Sequence, residues 1–135
     1  MDKYLDWAAL QNDIIVLRDR INAKNIKPDY IVGCSPDGLV VAQMMGDLMN
    51  VENIRILSFG KDMKVAGDFN DNLNGKNVLL LFPLVNNKEL VDASKACLKK
   101  KGAKIAVAGL YTMKGLQCDF SICDVKSVVF PWKNF

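Results

Sequence analysis

The run Val78-Leu79-Leu80-Leu81-Phe82-Pro83-Leu84-Val85 constrains this chain more than any other feature. It is far too short to span a membrane and is interrupted by proline. It lacks the polar alternation of a strand with one wet face, so it reads as a buried strand over 78–82 in a sheet covered on both sides. Asn86-Asn87-Lys88-Glu89 then forms a loop that opens a helix from about Lys88 to Lys101. In an open α/β sheet such a loop stands at the carboxyl end of a strand, where ligands bind.

The flanking segments repeat the pattern. Asp6 is placed to cap a helix carrying Trp7, Leu10, Ile14, Leu17 and Ile21 along one face. That helix should stop near Asn25, before the Lys27-Pro28-Asp29 turn. Tyr30 to Cys34 is a short apolar strand, followed by the loop Ser35-Pro36-Asp37-Gly38 and a largely apolar helix through Leu48. Ile54 to Phe59 is a strand, and the polar stretch from Gly60 to Gly75 is expected as a mobile lid or a β-hairpin crossing the site. In the helix after Lys88, Leu90, Val91, Ser94, Cys97 and Leu98 form the inner face, and Gly102 is a natural stop. Ile105 to Tyr111 is a further buried strand; Asp119–Cys123 and Val128–Phe130 are shorter candidates. Strands alternating with helices predict an α/β fold, a mostly parallel sheet with helices on both faces.

Length and composition narrow the function classes. At 135 residues, 50% of them apolar, one domain over 1–135 is expected and two are not. The net charge of +3 is small. Lys99-Lys100-Lys101 complements a helix dipole and has no aromatic or arginine beside it, so neither nucleic acid nor a membrane surface is expected as a partner. The amino terminus shows no basic stretch followed by an apolar run, so the expected location is cytoplasmic. Cys34, Cys97, Cys118 and Cys123 are expected as free thiols. Cys118 and Cys123 come near zinc-ligand spacing, but no second pair follows and the chain has no histidine, so no metal site is expected. The missing histidine also removes Ser-His and Cys-His nucleophile arrangements.

Taken together, several segments resemble the type I phosphoribosyltransferases, in particular the small purine enzymes acting on xanthine, guanine or hypoxanthine. The resemblance is carried by Trp7 and its helix, Lys27 to Ser35, Gly38 to Ala42, Gly75 to Leu81, Leu98 to Lys104, and Val129-Phe130-Pro131-Trp132. It implies a phosphoribosyltransferase-like fold and a homodimer. It also makes Trp132 a candidate to stack near a base, against the plainer reading of an aromatic packed over the sheet edge. Lys114 stands near the position of a lysine that contacts the base's exocyclic oxygen, or is an ordinary turn lysine.

The loops that carry the chemistry depart from the family. Its signature has two acidic residues that hold the ribose hydroxyls of phosphoribosyl pyrophosphate, then an Asp-Thr-Gly-x-Thr turn that wraps the 5′-phosphate at a helix start. Here the acidic pair is replaced by Phe82 and Pro83, and the turn reads Asn86-Asn87-Lys88-Glu89-Leu90. Asn86 and Glu89 have capping-box spacing, which would put a carboxylate where the phosphate sits. Lys88 is either a stray cation for that site or a solvated surface residue. In the pyrophosphate loop, Ser35-Pro36-Asp37-Gly38 replaces a basic residue and two glycines; Pro36 has no N–H and Asp37 adds negative charge. Losing even four hydrogen bonds to a charged ligand removes about 6 kcal/mol, more than four decades of affinity.

The expectation is therefore a catalytically inactive phosphoribosyltransferase-like protein, a binding, regulatory or oligomeric module with no cofactor, whose candidate ligand is a purine or nucleotide. The alternative is a divergent purine phosphoribosyltransferase using magnesium, or a reassigned site in which Asp37, Lys61, Asp62, Asp68 and Asp71 converge; a solvated loop is the plainer reading of those residues.

Overall fold

The computed structural model describes residues 2–34 and 37–133. Among these residues the order is β1 (Asp2–Tyr4), α1 (Trp7–Ala23), β2 (Tyr30–Cys34), α2 (Gly38–Met49), β3 (Ile54–Phe59), β4 (Val65–Gly67), β5 (Asn77–Val85), α3 (Lys88–Lys100), β6 (Lys104–Met113), β7 (Cys123–Val125), β8 (Ser127–Val129) and a closing 3-10 turn (Pro131–Lys133). The main sheet has strand order β4-β3-β2-β5-β6-β7, and β1 pairs with β8 in a small parallel ribbon. Within the main sheet the β3–β4 contact is antiparallel and the other pairings are parallel.

The apolar run forms β5 at the centre, between β2 (Ile31 opposite Leu79) and β6 (Leu79 opposite Ala106). Its side chains divide between two cores. Leu79 and Leu81 pack with Leu10, Ile14 and Leu17 of α1 and with Val41 and Met45 of α2. Val78, Leu80 and Phe82 pack with Val91 and Leu98 of α3. Two-residue alternation along a strand sends neighbours to opposite faces, so helices cover both sides of the sheet as expected.

The helix ends follow local rules. Asp6 caps α1 by accepting the Ala9 N–H at 2.7 Å. Past α3, Gly102 takes φ +89°, a left-handed conformation that ends the helix at little cost for glycine. Three expectations need correction, and one strand is new. Trp7 lies 53% exposed at the start of α1, although its ring contacts Trp132 at 6.1 Å. β5 runs to Val85, three residues beyond the expected strand, because Leu84 and Val85 stay in register with Tyr111 and Thr112 of β6. Of the Asp119–Cys123 candidate, only Cys123 enters a strand, while Phe120 forms an isolated bridge to Ala108. β1, only three residues long, was not foreseen.

The stretch from Gly60 to Gly75 is a short hairpin on β3 followed by an anchored segment. Asp71 accepts both ends of the Arg55 guanidinium at 2.9 and 3.0 Å and the Tyr30 hydroxyl at 2.9 Å. Leu73 is fully buried, and Lys101 reaches Asp68 at 3.4 Å with its ammonium over the Phe69 ring. These contacts engage Asp71 with β2 and β3 and Asp68 with the end of α3, and Asp62 accepts the Lys64 N–H in its own turn. The five-residue convergence with Asp37 and Lys61 does not form.

Candidate functional site

A cavity of about 420 Å³ opens at the carboxyl end of β5. One side is the end of β5 and the start of α3: Phe82, Pro83, Leu84, Asn86 and Leu90. The other is Val128 and Val129 of β8, with Phe130 and Lys133 after it, and Cys34, Asp37 and Gly38 complete the lining. Backbone approach sets this geometry. A Cβ on Gly33 would stand 2.6 Å from the Gly38 carbonyl oxygen, so β2 and α2 meet as closely as they do only with glycine there. Pro83 has no amide to donate, and its place in the strand comes after the β2 ladder has ended at the Gly33–Leu81 pair. At Pro83 the side-chain alternation shifts: Phe82 and Val85 pack on the α3 side, while Leu84 packs on the other.

The positions matching the phosphate turn separate. Phe82 and Pro83 are buried, and with Asn86 and Leu90 they line the cavity. Asn87, not Asn86, caps α3, its side chain accepting the Leu90 N–H at 3.2 Å. The Asn86–Glu89 capping box is therefore absent, and Glu89 is exposed in the first turn. Because β5 extends to Val85, the helix begins one residue later than that box requires. Lys88 lines a different groove, between α3 and the segment after β6, with Asp92, Lys95 and Asp119.

Of the pyrophosphate-loop positions, Ser35 and Pro36 lie outside the described residues. Gly38 is buried in the lining. Asp37 stands at the α2 N-cap position without capping it. Its carboxylate instead accepts the Trp132 indole N–H at 3.2 Å and pairs with the Lys133 ammonium at 3.3 Å. The Trp132 ring stacks on Phe130 with centroids 4.6 Å apart and planes 7° from parallel. Phe130 thus faces the cavity and Trp132 backs it. Lys114 is exposed in the turn after β6 and does not line this cavity.

The cavity also contains a group that sequence reasoning passed over. Cys34 is 8% exposed, and its Sγ is 3.3 Å from the Ser94 hydroxyl, which donates to the Leu90 carbonyl at 2.7 Å. Burial pushes the thiol pKa up, outweighing the opposing Ser94 contact. The sulfur is held as a neutral thiol, a wall of the site and not a nucleophile. All four cysteines are free. Among the described residues no cluster of three or more Cys, Asp or Glu is placed to hold a metal ion, and no helix is long and apolar enough to cross a membrane.

No family model matches the sequence, and no curated protein is similar to it in sequence. Solved structures match the fold along nearly the whole chain. A purine phosphoribosyltransferase from Pyrococcus horikoshii superimposes with a TM-score of 0.86 at 22% identity, over 99% of this chain and 95% of that one. The xanthine-guanine-hypoxanthine phosphoribosyltransferase of Helicobacter pylori gives 0.86 at 14% identity with the same coverage. A hypothetical protein from Neisseria gonorrhoeae with bound ppGpp gives 0.79 at 17% identity, over 98% of this chain and 89% of that one. The chain has the fold of the type I phosphoribosyltransferases.

Proposed function

We propose that this protein is a non-catalytic binding module on the phosphoribosyltransferase fold, working as a homodimer and taking a purine base or nucleotide in the cavity beside β5. One observation carries the reading: Phe82 and Pro83, at the positions where the resemblance expects an acidic pair, are both buried side chains of β5. A ribose diol needs acceptors at that place, and two apolar side chains leave its hydroxyls unpaired, at a cost of about 1–3 kcal/mol for each group.

Two further features support it. Asp37, the only carboxylate among the described lining residues, is already bonded to Trp132 and Lys133. Magnesium, which the transferase reaction would need, would find a single carboxylate whose charge Lys133 already neutralises, so the residues present do not fit the ion. The ppGpp bound to the Neisseria protein supports a purine nucleotide as one class of ligand for this fold. For the dimer, the support is the exposure of Tyr4 (76%), Trp7 (53%) and Leu39 (50%), large apolar side chains that a partner surface would cover.

Calorimetry with phosphoribosyl pyrophosphate and magnesium, beside purine bases, their nucleotides and ppGpp, tests the reading, with light scattering for the oligomer. Binding of a base or nucleotide without the pyrophosphate compound is the expected result. Micromolar affinity for phosphoribosyl pyrophosphate would restore the transferase reading.

A further inference from the structure

We infer that the cavity beside β5 accepts an uncharged planar heteroaromatic ring in the space where a sugar phosphate would have to lie, and discriminates against phosphorylated forms of that ring. This rests on the binding-module reading above and narrows it from base or nucleotide to base.

The first argument is the chemistry of the walls. Pro83, Leu84 and Leu90 come from one side of the cavity, and Val128, Val129 and Phe130 from the other. An apolar ring gains by displacing water from such surfaces, whereas a phosphate must shed its hydration against them with no gain. Phe130 is held by the stacked Trp132, whose own N–H is fixed on Asp37, so the aromatic wall is in place before anything binds. The volume, about 420 Å³, lies in the range of small-molecule pockets and admits a bicyclic ring.

The second argument is charge. Among the described residues the lining carries one cation and one anion, Lys133 and Asp37, and they neutralise each other at 3.3 Å. An entering phosphate would have to take Lys133 from Asp37 and then lie beside the released carboxylate. The lysine nearest the helix start, Lys88, opens onto the other groove. The amide of Leu90, the α3 residue in the lining, is already bonded to Asn87. Cys34 contributes no negative charge, because its buried sulfur stays a thiol.

A neutral ring still finds a polar edge. Each Asp37 oxygen has one partner and retains a lone pair for a ring N–H. The Asn86 amide offers both a donor and an acceptor. Donors and acceptors around a flat apolar slot are the recognition chemistry of a heterocycle that carries N–H and C=O groups but no net charge.

The test is calorimetry on the full chain with hypoxanthine and adenine, their 5′-monophosphates and inorganic pyrophosphate, repeated on Leu84→Trp, which fills the cavity from a half-buried position. At least one base should bind, its monophosphate at least about tenfold more weakly, and pyrophosphate should give no heat. Leu84→Trp should abolish base binding while the melting temperature holds. If that variant fails to fold, Asn86→Ala should weaken the base by about fivefold. A monophosphate or ppGpp that binds as tightly as the free base overturns the inference and leaves the module reading standing. Phosphoribosyl pyrophosphate at micromolar affinity overturns that reading itself. Base binding that survives Leu84→Trp unchanged, or no binding of either base, also overturns the inference.

Discussion

Asp37 accepts the indole N–H of Trp132 at 3.2 Å across 95 residues of sequence, joining the start of α2 to the closing turn of the chain. This contact places the end of β8 and its following residues against the main sheet, and with Lys133 it makes the cavity wall. A hydrogen bond to a charged group contributes about 1.5–3 kcal/mol when well shielded, and less at a half-buried site such as this. A double-mutant cycle of Asp37→Ala and Trp132→Phe should return a coupling of about 1 kcal/mol in urea denaturation. The phenyl ring of Trp132→Phe keeps the stack on Phe130, so the cycle isolates the N–H. A coupling of zero would mean that the turn is held by ring packing alone.

The start of α3 gives a second test. Asn87→Ala removes the side-chain acceptor of the Leu90 N–H and should cost about 1 kcal/mol. Asn86→Ala and Glu89→Ala touch exposed side chains without that bond and should stay within about 0.5 kcal/mol of the parent. Thermal melts of the three variants decide it. The reverse ranking would reinstate the capping box.

That pair of asparagines shows what sequence could and could not resolve. Both have the chemistry of an N-cap, and the choice depends on where β5 ends. Its end is set by pairing of Leu84 and Val85 with Tyr111 and Thr112, residues of a strand not yet formed when only local pattern is read. Leu10, Ile14, Leu17 and Ile21 were legible because helical periodicity is local, and all four are buried. The central strand was legible because seven of its nine residues are buried, which leaves a continuous apolar run. β1 was not, since three residues with one alternation carry no signal above background. Nor was the Asp37–Trp132 contact, which joins residues 95 apart in sequence and leaves no trace in local pattern. That Phe82 and Pro83 stand where the family resemblance expects an acidic pair was visible only by setting the sequence against that family's signature, and the apolar cavity they line with Lys133 and Phe130 depended on tertiary structure.

Tyr111 supplies a pH-dependent test. It is fully buried, donates its hydroxyl to Asp13, and lies under the Lys3 ammonium, which pairs with Asp13 at 3.2 Å. Burial first, and the Asp13 bond second, push the phenol pKa well above its ordinary 10.0. The unfolded chain therefore releases this proton at a pH where the folded chain keeps it, and stability falls as pH rises above about 10. Tyr111→Phe should cost about 1 kcal/mol near neutrality, and the gap between variant and parent should narrow above pH about 10. Urea midpoints at pH 7 and pH 10.5 measure it. A constant gap would mean that the hydroxyl contributes through shape and not through its proton.

Phe82 is where the wall of the cavity and the stability of the fold meet. Its ring is 3% exposed and belongs to the core shared with Val91 and Leu98, while its edge lines the cavity. An aspartate there would bury a carboxylate with no cation in reach: Lys133 is held by Asp37, and Lys88 opens onto another groove. It would also remove a buried aromatic, so Phe82→Asp should cost about 3 kcal/mol or more. Phe82→Leu, which keeps the position apolar, should cost about 1 kcal/mol. Urea denaturation of both variants separates the two accounts of this position. If Phe82→Asp lost less than about 1 kcal/mol, the side chain would be reaching water in the cavity, and the fold would tolerate an acid at this wall. The packing against α3 predicts instead that the position belongs to the core, so placing a carboxylate there would first require repacking the face of β5 that covers α3.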